Sequence, residues 1–209
     1  MRSREGEATF TEVARRSQIV DSAIEAIAEL GYNQASVRKI ADRVGVAMSV
    51  VLYHFGNKDE LVAAIVAECY RSVIEIMLPV VACETTAAGK LTAHIRAHAE
   101  HITTHRSHQI ALTEIASNYR SRDGRRLHEL SVELAPEQLT DLAKLELETI
   151  FERGVDSGEF RSLSTVSMAL AVRSAIGGAL LKSTTDPDFD VRAYGEELVT
   201  AFLLAAENR

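Results

Sequence analysis

Five of the seven histidines fall at His94, His98, His101, His105 and His108, with spacings of four, three, four and three. On a helix such spacing draws one stripe along a single face. Neutral imidazoles four residues apart can share a transition metal, and His98, His101 and His105 would then be the ligands. No Cys follows them, however, and Glu100 falls on another face of the helix. Alternatively, one or two rings hydrogen-bond a small molecule or sense protons near neutral pH. The stripe can also be a polar edge beside the apolar Leu91, Ile95 and Ile102, partly lining a pocket. The expectation is a small-molecule effector held by His98, His101 and His105, with Glu114, Asn118 and Arg173 as further polar contacts. Neither a metal nor a cofactor is expected. Met77, Ile110, Phe151 and Met168 are candidate apolar walls.

A second group of side chains is suited to nucleic acid. Ala47, Met48, Ser49, Val50, Tyr53 and His54 share the outer face of a short segment that ends at Gly56. Lys58 follows, at the start of the next helix. Upstream, Ser36 opens a helix, where anions are favoured, and Arg38 stands one turn on. Tyr53, His54 and Lys58 suit phosphates, while Ser49 and the apolar Met48 and Val50 suit base edges and thymine methyl groups.

These side chains need elements to hold them. Ile19, Val20, Ala23, Ile24, Ile27 and Leu30 recur at threes and fours over 11–30, and Gly31 supplies a left-handed stop. Ser36 caps a helix carrying Val37, Ile40, Ala41 and Val44, which Gly45 ends. The next helix, 47–55, begins after a very short link. Ala41, Gly45 and Val51 then have the spacing of a helix-turn-helix unit. Asn57 and Glu60 have the spacing of a capping box, opening a long helix that runs to Pro79.

The run from Tyr32 to Ala47, followed by Leu52-Tyr-His-Phe-Gly-Asn-Lys-Asp-Glu-Leu61, resembles the N-terminal domain of TetR-family transcriptional repressors. The resemblance covers about residues 11–65. It implies a homodimer on a two-fold double-stranded DNA operator, released when a small molecule binds. It also implies phosphate contacts from Ser36, Tyr53, His54 and Lys58, base contacts from Ala47, Met48, Ser49 and Val50, and a phosphate or base-edge contact from Arg38. Many relatives carry Lys or Thr, or Gly then Thr or Ser, where this chain has Met48 to Val50, so base reading would rest on Arg38, Ser49 and apolar contacts, a pattern that names no operator.

The rest of the chain reads as helices at 90–104, 107–120, 125–134, 136 to about 155, 164–182 and 191–207. No segment alternates with period two. The fold expected is all-α: a helix-turn-helix domain over 1–56, with an arm at 1–10, joined by a long helix to a ligand-binding and dimerisation domain over 57–209. The helices 164–182 and 191–207 are too apolar for a monomer surface and should pair with a second copy. Arg173, alone in the first of them, should meet a carboxylate at that interface or hold an acidic effector.

Of 209 residues, 46% are apolar and 25% charged, as in soluble globular chains. The net charge of −7 argues against coating nucleic acid through bulk charge. Residues 1–60 hold eight Lys or Arg against nine Asp or Glu, so DNA affinity must come from a few placed contacts. Two cysteines, Cys69 and Cys83, make no disulfide framework and suggest two buried thiols in a reducing cytosol. No run reaches the roughly 18 apolar residues of a membrane span, and Arg173 interrupts the longest candidate. An enzyme is not expected, because no Gly-x-Ser-x-Gly, Gly-x-Gly-x-x-Gly or Gly-Lys-Ser/Thr loop is present. Metal or proton sensing through the histidines is the alternative regulatory reading.

Overall fold

A computed structural model describes residues 10–130 and 132–208. Of the arm expected at 1–10, all but Phe10 lies outside the described residues. Ten α-helices are present among the described residues: α1 (Phe10–Leu30), α2 (Val37–Val44), α3 (Met48–Phe55), α4 (Lys58–Cys83), α5 (Ala87–Thr104), α6 (Arg106–Asn118), α7 (Pro136–Lys144), α8 (Leu147–Asp156), α9 (Thr165–Thr185) and α10 (Val191–Ala206). No strand occurs among them, only one isolated antiparallel bridge between Phe160 and Glu207.

Two compact units divide the chain. One comprises residues 1–69 and 110–133, the other residues 70–109 and 134–209. The core of the first unit is built from Ile19, Ile24 and Ile27 of α1, Ile40 of α2, Val51 and Phe55 of α3, Leu61 and Ile65 of α4, and Ile115 of α6. The core of the second unit centres on Met77, Leu91, Ile95, Ile102, Phe151, Val172 and Ile176. Met77 and Phe151 are therefore fully buried packing residues in this structure. Helix α4 has residues in both units, and so does α6.

Several boundaries differ from the sequence expectation for identifiable reasons. Helix α4 does not stop at Pro79 but runs one turn further, to Cys83. Proline removes the bond to the carbonyl four residues back. That residue is Glu75, which is exposed, so water can take over the lost bond. Cys83, at the helix end, is exposed, whereas Cys69 is buried, so only one thiol is buried as expected. Burial pushes the Cys69 thiol up to about 12. In place of a helix over 125–134 there is one 3-10 turn, Leu127–Glu129.

The single helix expected from Pro136 is broken into α7 and α8 at Leu145 and Glu146. Leu145 and Leu147 explain the break, since both are buried. Two residues apart on one helix they would point to different faces. The extended Glu146, at φ −66° and ψ 119°, lets both reach the core.

Helix α8 also fixes a close packing point. Phe160 lies against Gly154, and a Cβ there would come within 2.1 Å of the ring. The ring is itself buried and cannot swing clear. Gly154→Ala should therefore cost about 1–3 kcal/mol through overpacking, despite its better helix propensity. Chemical denaturation of the variant checks this, and an unchanged or raised midpoint would contradict it.

Candidate nucleic-acid interface and effector site

The turn between α2 and α3 is built from local rules. Ser36 caps α2, its Oγ accepting from the Lys39 N–H at 3.3 Å. Gly45 takes φ 75°, which side chains other than glycine rarely adopt, and its N–H bonds back to the Asp42 carbonyl. The Val46 N–H closes on the Ala41 carbonyl at 3.0 Å. Helix α3 then leaves with Val51 and Phe55 buried and the opposite face open. Ala47, Met48, Ser49 and Tyr53 are exposed, Tyr53 by 75%, and Val50 and His54 are half-buried. Ser36, Arg38 and Lys58 are exposed as well. The nine residues expected to face DNA thus all retain accessible surface.

Besides the Ser36 cap, Lys58 and His54 are also engaged within the chain. The Lys58 ammonium sits 4.4 Å from the centre of the Tyr32 ring, and partial burial lowers its pKa. To reach a phosphate it must leave the ring. The His54 carbonyl accepts from Arg16 Nη1 at 2.6 Å, and the Arg16 guanidinium lies 4.2 Å from the centre of the Phe55 ring. Arg16 thus ties α1 to the end of α3. The position of Arg16 on the polar face of α1 gives no sign of this contact in the sequence. The capping box at Asn57 and Glu60 is present. Asn57 Oδ1 accepts from the Glu60 N–H at 3.0 Å, and Asn57 Nδ2 donates to Glu60 Oε1 at 2.7 Å.

Of the residues grouped as an effector site, Glu114 and Asn118 belong to the first unit and His94 to His105 to the second. Glu114 Oε2 accepts from the backbone N–H of Tyr32 at 3.0 Å and from Asn118 Nδ2 at 3.2 Å. Through these bonds the two side chains hold the α1–α2 turn. Nearby, Tyr32 and Tyr119 meet edge to face, ring centres 6.1 Å apart. Tyr119 is fully buried, and burial with the adjacent Asp59 carboxylate pushes its phenol up to about 12. Arg173 is half-exposed and already answered by two carboxylates, Glu146 at 2.6 Å and Glu148 at 3.2 Å. Its charge needs neither a partner subunit nor an acidic ligand to balance it.

The histidines turn inward. His101 is fully buried, its Nε2 2.6 Å from Ser72 Oγ and its Nδ1 2.9 Å from Gln109 Nε2. An amide NH2 can only donate, so His101 Nδ1 accepts and Nε2–H donates to Ser72. His94 is buried, and its Nδ1 has no hydrogen-bond partner. The Nδ1 of His98 is likewise buried without one. His105 closes α5, its Nδ1 2.9 Å from Thr104 Oγ1. Ser72 and Gln109 were missed in the sequence. Gln109, directly after the last histidine of the stripe, was the one signal on offer.

Ring geometry weighs against a shared metal. His101 and His105 stack at 12° with centres 5.1 Å apart, and His94 and His98 meet edge to face at 6.0 Å. Stacked rings aim their lone pairs side by side, not at a common centre. Among the described residues no three His, Cys, Asp or Glu side chains are placed to hold an ion. Proton sensing by the inner three rings also fails. Burial lowers His94 to about 3, His98 to about 4 and His101 to about 3, so all three are neutral at pH 7.

A separate groove of about 460 Å³ lies among α4, α5 and α10, with Ile76 and Val80 on its wall. Across it, Arg96 pairs with Glu196 at 2.6 Å and Arg192 with Glu100 at 2.5 Å.

Comparison with known proteins agrees with this geometry. Residues 19–65 match the sequence model of the bacterial regulatory proteins of the tetR family. The fatty acid metabolism regulator protein of Bacillus subtilis (strain 168) is 27% identical over 200 residues, covering 92% of this chain and 95% of that one. The HTH-type transcriptional repressor Rv1474c of Mycobacterium tuberculosis is 40% identical over 55 residues, covering 26% of this chain and 29% of that one. The crystal structure of the transcriptional regulator FadR from Bacillus subtilis in complex with stearoyl-CoA superposes with a TM-score of 0.71 at 25% identity, covering 90% of this chain and 97% of that one.

Buried neutral histidines make stability depend on pH. An unfolded imidazole titrates near 6.5, and these three titrate well below that when folded. Their contribution is complete above about pH 6.5 and is lost as pH falls. Between pH 6.5 and 5 the loss should be about 1.5 kcal/mol per ring. Urea unfolding across that range tests this, and a flat midpoint from pH 7 to 5 would show that the rings are not buried neutral.

Proposed function

We propose that this chain, a transcriptional regulator of the TetR family, represses its genes by seating α3 in the major groove of a two-fold operator. The exposed face of α3 supports this reading, since a helix of eight residues fixed on one side by Val51 and Phe55 leaves a rigid opposite face free. Met48, Ser49, Val50 and Ala47 approach base edges, with Arg38 beside them. Ser36, Tyr53, His54 and Lys58 bind phosphates and set the register. The protein acts in the cytoplasm, on DNA.

A second copy completes the reader. Val166, Leu170 and Leu181 of α9 are exposed by 61%, 62% and 69%, and Leu204 of α10 by 58%. Cβ atoms at Gly177 and Gly178 would meet nothing within 4 Å, so the helix has room for a close neighbour. By length and composition alone α9 could cross a membrane, and only 28% of its most apolar stretch is buried. Small residues and an apolar face together favour a four-helix dimer contact with α10. Two recognition helices then stand about 34–36 Å apart, or a multiple of that.

The effector enters the unit formed by residues 70–109 and 134–209, and its binding weakens operator affinity. Likeness to the Bacillus subtilis regulator extends over this unit, so an acyl-CoA is the first effector class to test. Reciprocity requires that a ligand which lowers operator affinity about a hundredfold binds the DNA complex a hundredfold more weakly.

Selection of bound duplexes from random DNA, followed by titration with acyl-CoA, tests the whole reading. Within it, Tyr53→Ala or Lys58→Ala should weaken binding to every sequence alike and reduce the salt slope by about one. Full operator affinity in both variants would remove these residues from the interface. Leu170→Glu should yield a monomer by light scattering and cost most of the operator affinity. A dimer that persists in that variant would place the contact elsewhere.

A further inference from the structure

Most arginines with a printed partner in this chain are answered by an acid, but one group is not. Arg43, Arg96, Arg173 and Arg192 each meet a glutamate carboxylate within 2.6 Å. Arg120, Arg122, Arg125 and Arg126 crowd into the turn after α6, and all four are exposed. Arg120 bonds only the Tyr119 carbonyl, and among the described residues no carboxylate pairs with Arg122 or Arg126. Asp123 lies 3.8 Å from Arg125 and is itself 78% exposed, a pairing worth little. Like charges this close repel one another, and a bound anion would relieve that cost.

The backbone beneath them is fixed. Ser121 is buried, its Oγ accepts from the Arg125 N–H, and its own N–H donates to the Arg125 carbonyl, each at 2.9 Å. Gly124, at φ 81°, closes the turn onto the Ser121 carbonyl. Glu129 accepts from the Arg126 N–H at 2.8 Å. An anion meeting these arginines need not order the chain first.

The turn belongs to the same compact unit as α3. It follows directly on Tyr119, whose ring meets that of Tyr32. Tyr32 in turn lies between two expected phosphate contacts, with Lys58 against its ring and Ser36 four residues on. Residues 1–69 carry eight Lys or Arg against ten Asp or Glu, so the helix-turn-helix segment brings no excess of positive charge to DNA. The turn adds four arginines against one aspartate.

We propose that the turn 120–126 is a second DNA-binding element, whose arginines hold backbone phosphates beside those held by Ser36 and Lys58. A guanidinium matches a phosphate with two parallel hydrogen bonds, and such a contact reads no base. The turn lies outside residues 19–65, the stretch that matches the family model. The inference rests on reading α3 as the operator-binding helix, and it adds a phosphate clamp outside the helix-turn-helix.

Fluorescence anisotropy of the full chain on its selected operator, across a range of salt, tests it. Arg122→Gln combined with Arg126→Gln should weaken binding about tenfold, by the same factor on operator and random duplex. It should also flatten the salt slope by about two, one phosphate for each copy in a dimer. Lysine at both positions should restore most of the slope, since charge alone releases counterions. Lys144→Gln combined with Arg153→Gln removes the same charge from the second unit and should leave the slope unchanged. A wild-type slope in the Arg122/Arg126 glutamine variant, an equal change in the second-unit control, or a loss that lysine does not restore would overturn the proposal. Tyr53→Ala and Lys58→Ala on the same duplexes separate this from the reading of α3. Wild-type affinity in both of those, with loss in the Arg122/Arg126 variant, would leave the turn standing and defeat α3 as the reader. The reverse pattern would keep α3 and exclude the turn, and a wild type that binds neither duplex would defeat both.

Discussion

An eight-residue helix has no stability of its own in water, because nucleation consumes more entropy than so few hydrogen bonds return. Everything in the first unit follows from holding α3 in place while leaving one of its faces free. Val51 and Phe55 bind it to the core, Gly45 sets its departure angle, and Arg16 fastens the carbonyl of His54, its second-last residue. Arg16 does two things with one group, since the same guanidinium covers the Phe55 ring. A reading surface is rigid only to the degree that its hidden side is fixed, and here that side is fixed by packing, a turn and a charge-assisted bond together.

The second unit solves a different problem. Imidazoles in an apolar interior must be neutral and bonded, because an ionised ring there has no solvent and an unbonded one loses its water. Ser72 and Gln109 meet that need for His101 with a hydroxyl and an amide. The break between α7 and α8 lets Leu145 and Leu147 both be buried. It also puts Glu146 within 2.6 Å of Arg173.

Helices and their caps were legible in the sequence because they obey local rules. Ser36, Gly45 and the Asn57–Glu60 pair each act within a few residues of themselves, and all appear where the spacing places them. The outward face of α3 was legible for the same reason, since periodicity decides which side of a short helix is buried. What could not be read was long-range. Arg16 and His54 are 38 residues apart, Tyr32 and Glu114 are 82 apart, and nothing in either segment marks its partner. The histidine stripe was visible as a pattern, but the hydrogen bonds of His101 depend on Ser72 and Gln109, on other helices. Pro79 misled for the opposite reason, since the local rule was right and an exposed Glu75 made breaking it inexpensive.

The clasp between Glu114 and the α1–α2 turn engages an amide, not a side chain. Every amino acid except proline offers that amide. As far as this bond goes, position 32 is free to drift among relatives while position 114 is not. Covariation between the two columns of an alignment would then be weak even though they touch. A search for communicating residues based on paired substitutions would pass over this contact, and only an acceptor held at 114 and an absence of proline at 32 would betray it.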